Sequence, residues 1–292
     1  MLQIHEEAMK TPDQTKVPAS VLVDAHVHFY SCYPREVFLD SAFQNFRSDA
    51  AELGESFVGF LLLTEAGQAR WFRRWQDGQD RDGAWSFEPT GEAESLAAVR
   101  ATGERMVIVA GRQIVTREKL EVLALGKDLE IPDGLPMTDT LQQIRESGAL
   151  PVLPWGFGKW WGWRGDRVEA ALREPGELYL GDSGGRLQPG IPPKLFRLAR
   201  AKGIRLLPGT DPLPFPRHAG RAGSYGFQLP GAVDEHRPGA DLLHKIRTAG
   251  QLRTFGRRAG PVRFLRDQTA MQLRRGKKRQ DAASVQSVEV AR

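Results

Sequence analysis

A pair of histidines gives the chain its most chemically loaded stretch. In Val21-Leu22-Val23-Asp24-Ala25-His26-Val27-His28-Phe29 a short apolar run ends on His26 and His28, spaced i, i+2. Residues two apart on a strand point to the same face, so both imidazoles can converge on one point just past the strand end. Neutral imidazole is the commonest side-chain metal ligand, and two on one face make half of a metal site. The competing account is two unrelated core or surface histidines. The chain has only six, and polar residues recur just after later strands, several of them metal-competent: Glu65, Gln113, Asp182 and Asp211.

Other stretches bear on a substrate. Trp155-Gly156-Phe157-Gly158-Lys159-Trp160-Trp161-Gly162-Trp163-Arg164 sets four tryptophans and a phenylalanine among glycines. Such density implies burial or a ligand: a substrate wall with Lys159 and Arg164 placed for an anion, or a loop that simply caps the core. Arg217, His218 and Arg221 follow Asp211 on a glycine-rich loop, and arginine forks suit phosphate and carboxylate. Gly181-Asp182-Ser183-Gly184-Gly185-Arg186 can present backbone N–H groups to an anion or be a plain turn. It lacks a Walker lysine, and Ser183 lacks the G-x-S-x-G elbow. A small anionic substrate is the expectation.

These residues need strands to aim them. Apolar runs predict strands at 20–25, 57–63, 120–125, 150–153, 177–180 and 204–207. A hairpin over 95–100 and 105–115 competes with a helix at 91–101. Helical spacing and stop signals predict helices at Asp40–Leu53, Thr138–Ser147 (Thr138 as cap), Asp166–Arg173 and Pro192–Lys202. From residue 138 onward strands alternate with helices across short loops, the rhythm of βα units and a parallel sheet. Polar residues cluster just after the strands, where βα barrels place active sites.

Composition narrows the class. The chain has 292 residues, 40% hydrophobic and 26% charged, the balance of a soluble globular protein. The single Cys32 excludes an intramolecular disulfide and a cysteine zinc cluster. No run approaches the roughly 18 apolar residues of a membrane span. The polar, acid-bearing first residues do not read as a signal peptide, which makes cytoplasm the expected location. The net charge of +5 is concentrated late: Gln251–Arg292 holds eleven Lys or Arg against three Asp or Glu. That stretch has the charge for nucleic acid or an acidic partner but no interleaved aromatics, so a merely solvated tail competes.

Taken in order, the strand-end segments resemble the PHP (polymerase and histidinol phosphatase) family, a relative of the amidohydrolases. Asp24-Ala25-His26-Val27-His28 resembles its opening D-x-H-x-H. Leu63-Thr64-Glu65-Ala66 stands where the family has T-D-H, and Ala110-Gly111-Arg112-Gln113 resembles its G-x-E. Leu120–Gly126 resembles H-V-L-G-L, Ala149–Trp155 the A-H-P segment, and Pro208-Gly209-Thr210-Asp211-Pro212-Leu213 the closing G-S-D-x-H. The resemblance spans about 20–215 and implies a distorted, seven-stranded, TIM-like βα barrel. It also implies metal-dependent hydrolysis of a phosphate ester.

The chain departs from the family at most ligand positions, and only His26, His28 and Asp211 keep the ligand type. The implied site is therefore mononuclear: one divalent ion (zinc, manganese or iron) on these three, with Glu65, Glu121 or Asp182 completing the shell or acting as base. Three protein ligands plus water is a catalytic pattern. Lys159, Arg164, Arg217, His218 and Arg221 would bind the anion. The expected organisation is a lead-in (1–17), the barrel (18–238), a basic helical extension (239–275) and an unstructured tail (276–292). Two other readings stand beside the enzyme: a catalytically degenerate barrel serving as a binding or scaffold protein, and nucleic-acid association through the tail.

Overall fold

The structure, a computed structural model, describes residues 20–53, 56–80 and 82–274. The expected lead-in and tail lie outside them. The chain opens with β1 (Ser20–Val27), α1 (Arg35–Leu53), β2 (Phe57–Leu63), the two-residue β3 (Glu65–Ala66) and α2 (Trp71–Gln76). Five strands follow: β4 (Trp85–Pro89), β5 (Ser95–Arg100), β6 (Arg105–Val109), β7 (Gly111–Val115) and β8 (Glu121–Leu125). Helices then alternate with strands: α3 (Met137–Glu146), β9 (Leu150–Pro154), α4 (Trp163–Ala171), β10 (Tyr179–Ser183), α5 (Lys194–Ala201) and β11 (Leu206–Gly209). A 3₁₀ turn (Pro216–His218), β12 (Tyr225–Pro230), α6 (Pro238–Thr248), β13 (Arg253–Gly256) and a helix over 261–274 complete the described chain. No helix among these residues is long and apolar enough to cross a membrane.

The strands form two sheets, ordered β13-β12-β1-β2-β6-β5-β4 and β11-β10-β9-β8-β7-β3. Only Thr64 separates β2 from β3, and only Ala110 separates β6 from β7, so two long bent strands carry the chain from one sheet into the other. β1, β2 and β6 run parallel, as do β9, β10 and β11. Val21, Val23, Phe60, Leu62, Val107, Val109, Leu123, Val152 and Leu207 fill the space between the sheets. A second core packs α1 and α2 on the first sheet, and a third packs α3, α4 and α5 on the second. β2 is apolar throughout because both of its faces are covered.

The expected closed barrel is not formed. β12 pairs antiparallel with Ser20–Val23 of β1 and takes the edge that a closing strand would need. β11 therefore meets β1 only near its C-terminal end, through the Asp211 N–H donating to the His26 carbonyl at 2.8 Å. That approach requires a glycine: a Cβ on Gly209 would sit 2.3 Å from the His26 nitrogen. The basic extension is also not wholly helical, since β13 interrupts it between α6 and the helix at 261–274. The hairpin, not the competing helix, forms over 95–115, with Gly103 turning at φ 99°. Thr138 lies inside α3, whose N-cap is Pro136.

Candidate metal centre

β1 aims the histidines by changing faces. Val21, Val23 and Ala25 point into the space between the sheets, whereas Leu22 and Val27 pack on the α1 side. The switch falls where the β1–β2 register shifts, between Asp24 and Val27. Such an irregularity re-aims the side chains that follow it. His26 and His28 are thereby turned inward, opposite Val27, and both are buried.

Their Nε2 atoms lie 3.1 Å apart. Asp211 Oδ1 is 3.6 Å from the first and 3.8 Å from the second. All three ligand atoms fall within 4.8 Å of one another, and this is the one such group of three or more His, Cys, Asp or Glu among the described residues. Burial pushes both imidazoles down to about 4, aided for His28 by its neighbour His26 and for His26 by Lys159. At neutral pH both rings are therefore uncharged and keep a lone pair for a cation. The Gln113 side chain beside His26 and the Thr64 backbone beside His28 work against burial and favour the protonated rings.

Asp211 is held from two sides. Its own N–H donates to His26, and the Ser183 hydroxyl donates to its Oδ2 at 3.0 Å. Its φ of 49° places it in the left-handed region, a cost of about 1–3 kcal/mol that the surrounding bonds must offset. Burial raises its carboxyl, against the pull of His28 and the Ser183 hydroxyl. Asp24 supplies much of the framework. Its carboxylate accepts from the Thr210 N–H (2.8 Å), the Thr210 hydroxyl (2.5 Å), the Gly223 N–H (2.9 Å) and the His26 N–H (3.3 Å). One buried carboxylate thus ties the end of β11 to the end of β1.

His28 and Asp211 of the cluster line a cavity of about 220 Å³, together with Glu121, Lys159, Gln113 and Tyr30. The Lys159 ammonium pairs with Glu121. Burial works to raise the Glu121 carboxyl, but Lys159 outweighs it and holds the group below its ordinary value. Trp155 and Phe157 supply an aromatic wall, while Gln268, Met271 and Gln272 of the helix at 261–274 close the far side. Spaced three and four apart, those three residues share one helix face.

Of the residues expected to do chemistry, the fold brings His26, His28, Asp211, Glu121 and Lys159 together. It turns the others elsewhere. Glu65 accepts from the Trp71 and Phe72 N–H groups at the start of α2, with Arg112 beside its second oxygen. Asp182 is held by Arg186 in a two-pronged pair (2.6 and 2.7 Å) and by the Tyr225 hydroxyl at 2.8 Å. Arg164 donates to the Gly158 carbonyl and braces the tryptophan loop, on which Trp161 and Trp163 stay exposed. Arg217 pairs with Asp267 at 2.9 Å, and His218 lies 3.3 Å from the same oxygen. Neither these two nor Arg221 lines the cavity. Gln268 carried no sequence signal, whereas Asp24, Thr64 and Gln113 stand in the segments that resemble D-x-H-x-H, T-D-H and G-x-E.

No family model matches the chain, and no curated protein matches its sequence. Among solved structures it is similar to PsfC from Pseudomonas syringae PB-5123, at 15% identity over 82% of this chain and 92% of that one, with a TM-score of 0.50. That likeness establishes a shared α/β fold. Two further likenesses have TM-scores below one half. One is to the lesion-specific endonuclease PfuEndoQ from Pyrococcus furiosus (9% identity, 81% of this chain, 57% of that one, TM-score 0.49). The other is to Endonuclease Q in complex with a 27-mer duplex bearing an abasic lesion (8%, 82% and 60%, TM-score 0.48). The chain spans about six-tenths of those two proteins, and neither bears on what this one does.

Proposed function

We propose that this protein is a mononuclear metal-dependent hydrolase acting on a small anionic substrate, in the manner its PHP-like strand-end motifs imply. The observation that carries the reading is the convergence of two neutral imidazoles and one carboxylate beneath a cavity that also holds an ionised carboxylate and an ammonium. His26, His28 and Asp211 would hold a divalent cation, and the donor set suits zinc, iron or manganese. Such an ion supplies the positive charge that brings the pKa of a water molecule near neutrality.

The chain's own residues supply the rest. Lys159 is the one cation lining the cavity among the described residues, so it would meet the substrate's anionic group. Doing so draws the ammonium from Glu121, whose proton affinity then rises toward the value a general base needs. A cavity of about 220 Å³ is below the roughly 300–1,000 Å³ of most ligand sites, which favours a small substrate over a polymer.

The test is elemental analysis of purified protein, beside chelator-treated protein and His26→Ala/His28→Ala, followed by a screen of phosphate esters. About one equivalent of metal, lost in the variant, with chelator-sensitive hydrolysis, is the expected result. Protein that neither carries nor takes up metal would leave a binding or scaffold role.

A further inference from the structure

The helix at 261–274 is apolar on a face that nothing covers. Its inner face holds Phe264, Asp267, Gln268 and Met271. Phe264 stacks on Phe157, Asp267 is buried against Arg217, and Gln268 and Met271 line the cavity. The outer face carries Val262, Leu265, Thr269 and Leu273, which successive spacings of three, four and four residues bring into one stripe. The three apolar side chains of that stripe are 82%, 65% and 68% exposed. A helix that only covered the cavity would turn polar residues outward.

The tryptophan loop adjoins this surface. Phe157 touches Trp161 on one side and Phe264 on the other, with ring centres 5.2 and 5.3 Å apart. Trp161 is 64% exposed and Trp163, at the start of α4, 58%. Of the eight large apolar side chains exposed among the described residues, six belong to these two elements; Val37 and Ile191 are the others. Apolar residues exposed singly need no explanation, whereas such a concentration marks an interaction surface.

Charge and side-chain type choose the occupant. From 261 to 279 the sequence holds seven Lys or Arg against one acid, Asp267, which is buried. Arg266 is exposed beside the apolar stripe, and Arg164 and Arg167 outnumber Asp166 beside Trp163. A second copy of the chain would set two such basic faces against each other. A nucleic acid would meet the charge and stack on the indoles, but Val262, Leu265 and Leu273 have no π-face to offer a base. An anionic bilayer suits all three features. Indoles sit at headgroup level, aliphatic side chains enter the acyl boundary, and Lys and Arg meet the lipid charge.

We infer that the outer face of the helix at 261–274, together with Trp161 and Trp163, is a docking surface for an anionic lipid bilayer, on which the protein lies without spanning it. Binding strength follows from apolar area buried and attraction to anionic lipid acting together. The cavity lies behind the helix, so the surface stands independently of the metal-site reading.

The experiment is sedimentation of the full chain with phosphatidylglycerol vesicles, beside phosphatidylcholine vesicles, with tryptophan emission recorded on the same samples. The protein should bind the anionic vesicles, with emission shifted to the blue, and bind the neutral ones far more weakly. Salt raised well above physiological strength should weaken binding without abolishing it. Leu265→Glu/Leu273→Glu and Trp161→Ala/Trp163→Ala should each weaken it about tenfold or more, with circular dichroism unchanged because these positions are exposed. Val37→Glu, on α1, should bind as wild type does. So should His26→Ala/His28→Ala, which keeps a failed metal site apart from this result. No binding to phosphatidylglycerol, equal binding to both vesicle types, or wild-type binding in the leucine variant would overturn the inference. A single-stranded oligonucleotide bound in preference to vesicles would assign the surface to nucleic acid instead, and a solution dimer dissociated by the leucine substitutions would assign it to a second copy; either also overturns it.

Discussion

Removing the Asp24 carboxylate should be one of the most damaging single changes available near the cluster. In Asp24→Ala, two buried backbone donors, those of Thr210 and Gly223, lose their acceptor, and the Thr210 hydroxyl and His26 N–H lose theirs. Each buried donor left unsatisfied costs about 1–3 kcal/mol. The Thr210 hydroxyl can rotate away, and the His26 bond is long at 3.3 Å, so the two backbone groups dominate. Allowing for relaxation, the expected loss is about 3–5 kcal/mol, at the upper end for single substitutions. For a domain of this size that is a fall of about 8–15 °C in Tm. Asp24→Asn retains one acceptor oxygen and should lose roughly half as much. Because Asp24 sets Thr210-Asp211 against His26, the asparagine variant should also bind zinc about tenfold more weakly, a change of about 1.4 kcal/mol. Thermal unfolding by circular dichroism and a zinc titration read both effects. An Asp24→Ala protein that melts within about 2 °C of wild type would show that the carboxylate does not tie β11 to β1.

Three further outcomes follow from the same geometry. His26→Ala/His28→Ala should abolish metal uptake while leaving the fold intact, read by elemental analysis and circular dichroism; retained stoichiometric metal would place the ion elsewhere. In the metal-free protein, folding favours neutral His26 and His28, whose folded values of about 4 lie below the ordinary 6.5. Their contribution is present above pH 6.5 and lost as pH falls through 4; denaturant titrations across that window should show stability declining with acid, and a loss that the double alanine variant fails to reduce would refute the assignment. Lys159→Met leaves Glu121 without its counter-ion and should cost about 1–3 kcal/mol, less than the loss of a fully buried pair. It should also raise the pH at which Glu121 protonates, measurable by carbonyl-region NMR, and an unmoved Glu121 would deny the pairing.

Much of the skeleton was legible because local rules and tertiary packing agree. The run Phe57–Leu63 is apolar on both faces and becomes a strand covered on both faces, over the expected bounds. The α/β alternation after residue 138 gives the parallel strands β9, β10 and β11. Helix 40–53 begins earlier than expected, at Arg35, since Glu36 in its first turn suits a helix start. β12 and β13 were not legible. Tyr225–Pro230 carries two positions that read as breakers, Gly226 and Pro230, and only its pairing with β1 makes it a strand. Those two strands are also why the barrel does not close.

His26, His28 and Asp211 could be chosen from residue type and their place after strands, because imidazole and carboxylate chemistry belongs to the side chain itself. The sequence alone settles that much, together with the single cysteine and the late concentration of basic charge. The direction in which those side chains point belongs to tertiary structure. A register shift inside β1 turns both histidines inward, and no pattern of apolar and polar residues records a shift made against a partner strand that lies beyond α1 in sequence. The same holds for carboxylates and arginines. Glu65, Glu121 and Asp182 look equivalent as carboxylates beside strands, yet one caps α2, one faces Lys159 in the cavity and one is held by Arg186. Arg217 and His218 read as anion binders until a helix 50 residues farther on delivers Asp267 to them. A charge acts through the distance and dielectric between it and its neighbours, and only the folded chain fixes both.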